Sequence, residues 1–236
     1  MKNLGKIILL MGLIILFTFG GAYSLKLFGI NQGYPTRVVP PISMILGTII
    51  FLKIIDHKSF TDIGLHSFKS VLESSGIFSL FALAPILIGV IINKDFMLSK
   101  PIDIALIGIV GYYFLVGFAE ELLCRGYIYN VIEGDKLKII IPALSFASYH
   151  FISPEFNIPI FIILFIYGII FAYIYKMIRN LWPLIIFHLI WDIGAKYTGY
   201  YSNPLIDLLC LGAIVIILKC IIEFKKNNNR LTKIIV

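Results

Sequence analysis

Two adjacent carboxylates, Glu120 and Glu121, and two imidazoles, His150 and His188, stand within or against apolar runs long enough to cross a bilayer. An ionisable group in hydrocarbon costs about 2.5 kcal/mol or more unless it is paired or faces a wet cavity, so such groups read as functional. The chain has four histidines, and the other two, His57 and His66, lie in a polar stretch over 56–69 and read as solvated. Spacing sorts the acids. Glu121 and Arg125 are four residues apart, which sets them on one helical face as an ion pair, whereas Glu120 is turned about 100° away from that cation. His188 and Asp192 share a face in the same way. A carboxylate and two imidazoles converging in a water-reached, low-dielectric pocket suit amide hydrolysis. A desolvated carboxylate is a stronger base, an imidazole relays a proton, and a further donor stabilises the oxyanion. Glu120, His150 and His188 would equally suit zinc, which takes such ligands plus a water. Their spacing differs from the His-Glu-x-x-His helix of zinc proteases. The residues alone leave both chemistries open, and a lone membrane histidine also serves as a hydrogen-bonding packer between helices.

The elements that must position these groups are apolar runs of about 17 to 25 residues. Eight are expected, over 7–25, 38–55, 71–93, 102–131, 138–153, 158–178, 181–197 and 204–224, giving an all-α polytopic membrane bundle. The fourth is longer than a membrane needs, so its end from Glu120 onward is expected to project through the interface. The fifth and seventh are short and carry the histidines, which suits helices enclosed by neighbours. Pro142 and Pro183 are expected near their first turns, where a missing N–H is harmless. Glu120 lies 13 residues before Glu133, His150 lies 12 after Lys138, and His188 nine after Arg179. At about 1.5 Å per helical residue all three fall roughly 13 to 20 Å from one membrane surface and can meet in one cavity.

Bulk composition agrees. Of 236 residues, 59% are apolar and 14% charged, and mean hydropathy is +0.96, too apolar for a soluble domain. The net charge of +7 comes from basic residues scattered between apolar runs, which excludes a nucleic-acid stripe and fits the positive-inside bias. With the N-terminus inside, 14 Lys and Arg fall on the cytoplasmic side, Arg125 among them, and five opposite: Lys26, Arg37, Lys94, Lys100 and Lys196. Both termini are therefore expected in the cytoplasm. The start of the chain reads as a retained signal-anchor rather than a cleaved signal. Cys124, Cys210 and Cys220 read as buried hydrophobes, Asp207 and Glu73 as interfacial acids, and Trp182 and Trp191 as belt, packing or substrate residues. Residues 1–236 form a single membrane-embedded domain with no internal repeat.

Glu120-Glu121-x-x-x-Arg125, Phe146-x-x-x-His150 and His188-x-x-x-Asp192, in that order on successive spans, resemble the three signature motifs of the CPBP (CAAX prenyl protease and bacteriocin-processing, also called Abi) family of intramembrane proteases. The resemblance covers roughly residues 110–195. It implies an eight-helix enzyme with a wet chamber, in which Glu120 and His150 activate water while His188 and its partner Asp192 polarise the scissile carbonyl. Glu121 and Arg125 would hold the helix, and no cofactor is expected, with zinc the alternative. Many relatives have Asn where this chain has Asp192. Either Asp192 is held protonated, or it accepts a hydrogen bond from His188 and fixes that ring's tautomer, and the second is preferred. The expected function is an endopeptidase of the plasma membrane acting on a peptide or membrane-anchored protein, prenylated or leader-bearing. The alternatives are a non-catalytic scaffold or bacteriocin-immunity protein of the same family and, less favoured, a proton-coupled transporter, which would call for an inverted repeat.

Overall fold

In a computed structural model, residues 3–66, 82–84, 87, 88, 91, 105–153, 156–198 and 204–235 are described. The described residues form helices joined by short turns and loops, with no strand among them. Helix α1 spans Leu4–Leu27 and α2 spans Tyr34–Ile49, continued by a π-helical turn to Ile55. Helix α3 runs over Ala105–Glu121, widens into a π-helix over Leu122–Ile128 and ends at Val131. Helix α4 covers Leu137–Tyr149 with a 3₁₀ turn over His150–Ile152, α5 covers Ile158–Ile178, α6 Trp182–Thr198 and α7 Pro204–Ile235.

Among the described residues five stretches are long and apolar enough to cross a membrane: Leu4–Leu27, Tyr34–Ile55, Leu106–Val131, Ile158–Ile178 and Pro204–Phe224. The chain is a membrane protein. As expected, the histidine-bearing helices are shorter, apolar over Leu137–Ile152 and Trp182–Gly194. The span expected over 71–93 and the acid Glu73 lie outside the described residues, apart from 82–84, 87, 88 and 91.

Helix α3 is the centre. It packs on α2 and α6, and its π-helical end packs on α4; α4 packs on α5, α5 on α7, and α1 on α2. The α3 end expected to project through the interface is instead enclosed by protein, since Ala119 to Tyr129 are all buried. The wide π turn makes room for this, because it relaxes the i→i−4 ladder where Arg125 must fold inward. Helices come close where small residues allow it, as hydrocarbon solvent requires. A Cβ on Gly168 would lie 2.8 Å from the Ala143 Cα, and one on Gly117 would lie 3.2 Å from the His188 Cβ. The outer face of α1 leaves Ile8, Leu9, Leu16 and Phe19 exposed to the surroundings, as a lipid-facing helix should.

Two sequence expectations change. Pro183 sits at the second position of α6 as expected, but Pro142 is the sixth residue of α4, so no α-helical bond to the Lys138 carbonyl can form there. Cys124 and Cys210 are buried as expected, while Cys220 is exposed.

Candidate active site

The π-helical turn of α3 begins directly after Glu121, and it sets the acids and the arginine against α4, α5 and α6. One cavity of about 200 Å³ is lined by Glu120, Glu121 and Arg125 of α3, Phe146 and His150 of α4, and His188 and Asp192 of α6. All the residues that spacing brought to a common depth are thus in one chamber. Val116 of α3, Leu164, Tyr167 and Phe171 of α5, Phe187 and Trp191 of α6 and Leu211 of α7 complete its wall.

Arg125 is 1% exposed and donates from Nη1 to Glu121 Oε1 at 2.9 Å. Its guanidinium lies over the Phe146 ring at 4.8 Å and the Phe171 ring at 5.0 Å. Two aromatic faces therefore replace part of the hydration that burial removes. This ion pair was expected, yet Glu121 does more than hold a helix. The same Oε1 accepts from His188 Nδ1 at 3.3 Å. With a proton on Nδ1, the ring turns Nε2 toward Glu120 Oε2 at 3.5 Å and Asp192 Oδ2 at 3.7 Å. Asp192 was expected to fix the His188 tautomer; its oxygen lies beyond hydrogen-bond range, and Glu121 occupies that role. Glu120, expected to be free, faces His188.

His150 is organised differently. Its Nδ1 lies 2.9 Å from the Phe146 carbonyl oxygen one turn earlier. A carbonyl only accepts, so Nδ1 donates, and in the neutral ring Nε2 is the acceptor. His150 makes no ion pair with Glu120, although both line the cavity; a water between them would have an acceptor on each side. For zinc the fit is poor: among the described residues no three His, Cys, Asp or Glu side chains are grouped to hold a metal ion. Glu120, His150 and His188 share the chamber without gathering around one point.

Asp207, expected at the interface, is 3% exposed and accepts the Tyr167 hydroxyl at 2.7 Å. It ties α7 to a residue of the chamber wall. Its position near a span end hid this, because only the α5–α7 packing brings Tyr167 to it. His57 and His66 are exposed as expected, with His66 Nε2 2.9 Å from the Arg179 carbonyl. Trp182 donates to the His66 carbonyl at 2.8 Å, while Trp191 lines the cavity.

Residues 102–194 match the family described as type II CAAX prenyl endopeptidase, Rce1-like. Every polar residue of the chamber lies in that segment. No curated protein and no solved structure matches the chain.

Proposed function

We propose, on the premise that residues 102–194 are a segment of the CPBP family, that this chain is an intramembrane endopeptidase that hydrolyses a peptide bond with water activated by Glu120 and His150. The observation that carries this reading is the convergence of Glu120, His150, His188 and Asp192 on one cavity inside a membrane protein. Glu120 accepts the proton of a water held between its carboxylate and His150 Nε2, and the water oxygen attacks the scissile carbonyl carbon. His188, oriented by Glu121, donates from Nε2 to the developing oxyanion in its imidazolium form, and Asp192 stabilises the positive charge of that imidazolium. Protonated Glu120 then passes its proton to the leaving amine. Arg125 balances the carboxylates around His188 and keeps the chamber neutral enough to be buried.

The substrate in this reading is a peptide or membrane-anchored protein, prenylated or leader-bearing, met at the plasma membrane with both chain termini in the cytoplasm. No cofactor is required. The test is cleavage of a farnesylated CAAX peptide by purified wild type, Glu120→Gln and His150→Ala, with and without a chelator. Loss of at least about 100-fold in kcat is expected for both variants. Activity surviving in Glu120→Gln would overturn the mechanism, and chelator sensitivity would reinstate zinc.

A further inference from the structure

Lys219 is a charge inside a membrane span. It lies in the apolar stretch Pro204–Phe224 of α7, on an exposed face, with the exposed Ile216 and Ile222 one turn to either side. Its ammonium stands 5.5 Å from the centroid of the Tyr173 ring of α5 and pairs with no carboxylate among the described residues. The two residues sit at one depth, since Lys219 is five residues before Phe224 and Tyr173 is five before Ile178, where α5 ends. That is about 7.5 Å of helix, within reach of a lysine stem that carries its ammonium toward the headgroups. Helix α7 then continues to Ile235, eleven residues beyond the span. Along it Lys226, Arg230 and Lys233 follow Lys219 at intervals of seven, four and three residues. At about 100° per residue these four positions fall within an arc of about 60°, whereas Lys225 is turned about 120° from Lys219. The ridge is about 21 Å long, and the single acid between Lys219 and Val236 is Glu223.

We infer that this ridge binds the headgroup of an anionic phospholipid, with Lys219 taking the phosphate at the hydrocarbon boundary and Lys226, Arg230 and Lys233 extending the attraction outward. An ammonium without a counter-ion at hydrocarbon depth is costly, and the face of the Tyr173 ring offsets only part of that cost. A lipid phosphate supplies the missing anion from the side on which Lys219 is open, and its acyl chains lie against Ile216 and Ile222. Free phosphate would have to leave water to reach the same depth. Four cations against one acid favour a headgroup with net negative charge over a zwitterionic one. The site does not depend on the endopeptidase reading. Its helix nevertheless reaches the chamber, because Leu211 of α7 lines the cavity and Asp207 holds Tyr167.

The probe is dansyl-labelled phosphatidylglycerol, with phosphatidylcholine carrying the same label and chains as its zwitterionic counterpart. Each is titrated into phosphatidylcholine nanodiscs holding the full chain, and energy transfer from the two tryptophans, Trp182 and Trp191, reads binding. Wild type is expected to prefer the anionic lipid by at least about 25-fold, which is about fivefold for each of two basic residues at a membrane surface. Lys219→Leu, which leaves the span more apolar, and Lys226→Gln should each lower that ratio about fivefold. Lys225→Gln removes the same charge off the ridge and should leave the ratio within about twofold. Equal losses from Lys225→Gln and Lys226→Gln would reduce the effect to diffuse attraction of a basic tail and overturn the inference, as would a wild type that takes both lipids equally. Displacement of the labelled lipid by soluble glycerol phosphate as readily as by unlabelled phosphatidylglycerol would make free phosphate the ligand and overturn the lipid assignment.

Discussion

Asp192 is the residue on which the proposed chemistry turns most directly. Its carboxylate is 3.7 Å from His188 Nε2, too far to fix the ring, and the ring is already held from its other nitrogen by Glu121. An ionised carboxylate at that distance contributes charge, not geometry. Asp192→Asn is therefore expected to keep activity within about tenfold of wild type, with kcat as the readout, since an amide can donate to an oxyanion directly. Near-complete loss would show that the carboxylate itself is obligatory. Glu121 and Arg125 are bound to a different logic. Glu121 Oε2 and Arg125 Nε are buried without a hydrogen-bond partner among the described residues, so this pair is already incompletely satisfied. Removing either member would strand a charge with nothing to replace it.

Helix α3 has to bring its acids within reach of α6, and Gly117 is where it does so. A side chain there would meet the His188 Cβ at 3.2 Å and its Cγ at 3.4 Å. Gly117→Ala should push the two helices apart by a few tenths of an ångström and shift His188 against Glu120. Positioning errors of about 1 Å cost on the order of 100-fold, so a several-fold fall in kcat is expected, with Tm little changed. Gly111→Ala on the same helix meets nothing within 4 Å and serves as the control, with kcat unchanged. Equal effects from the two substitutions would mean that helix flexibility, not the α3–α6 approach, is the cause.

Across the whole molecule, three helices are joined where α1 begins and α2 ends. Lys6 of α1 pairs with Asp56, just beyond the π turn of α2, and Tyr127 of α3 donates to the same carboxylate at 2.7 Å. Burial opposes ionisation of Asp56, but the Lys6 ammonium and the Tyr127 hydroxyl outweigh it and hold the carboxyl below its ordinary value of 3.8. A carboxyl lowered on folding stabilises the protein above that value, and the contribution is lost as pH falls through the folded one. Asp56→Asn should accordingly lower Tm at pH 7, with the deficit closing below about pH 4; thermal melts in nanodiscs across pH 3 to 7 read this. A deficit that persists in acid would assign the loss to packing instead. Orientation also changes at this scale. Arg125, counted among the cytoplasmic charges, is buried in the chamber and says nothing of sidedness, which leaves 13 basic residues against five.

The sequence by itself determined where the apolar helices run and which ionisable groups they carry inward. Hydrocarbon admits few such groups, and run length and i,i+4 spacing are local properties. The common depth of Glu120, His150 and His188 followed from the same local count. Packing alone decided which acid touches which ring. Glu121 and His188 are 67 residues apart, and their bond depends on how closely α3 and α6 approach at Gly117. Tyr167 and Asp207 are 40 apart. No spacing rule relates residues on different helices, so the tautomer of His188 and the burial of Asp207 became visible only once the helices were assembled.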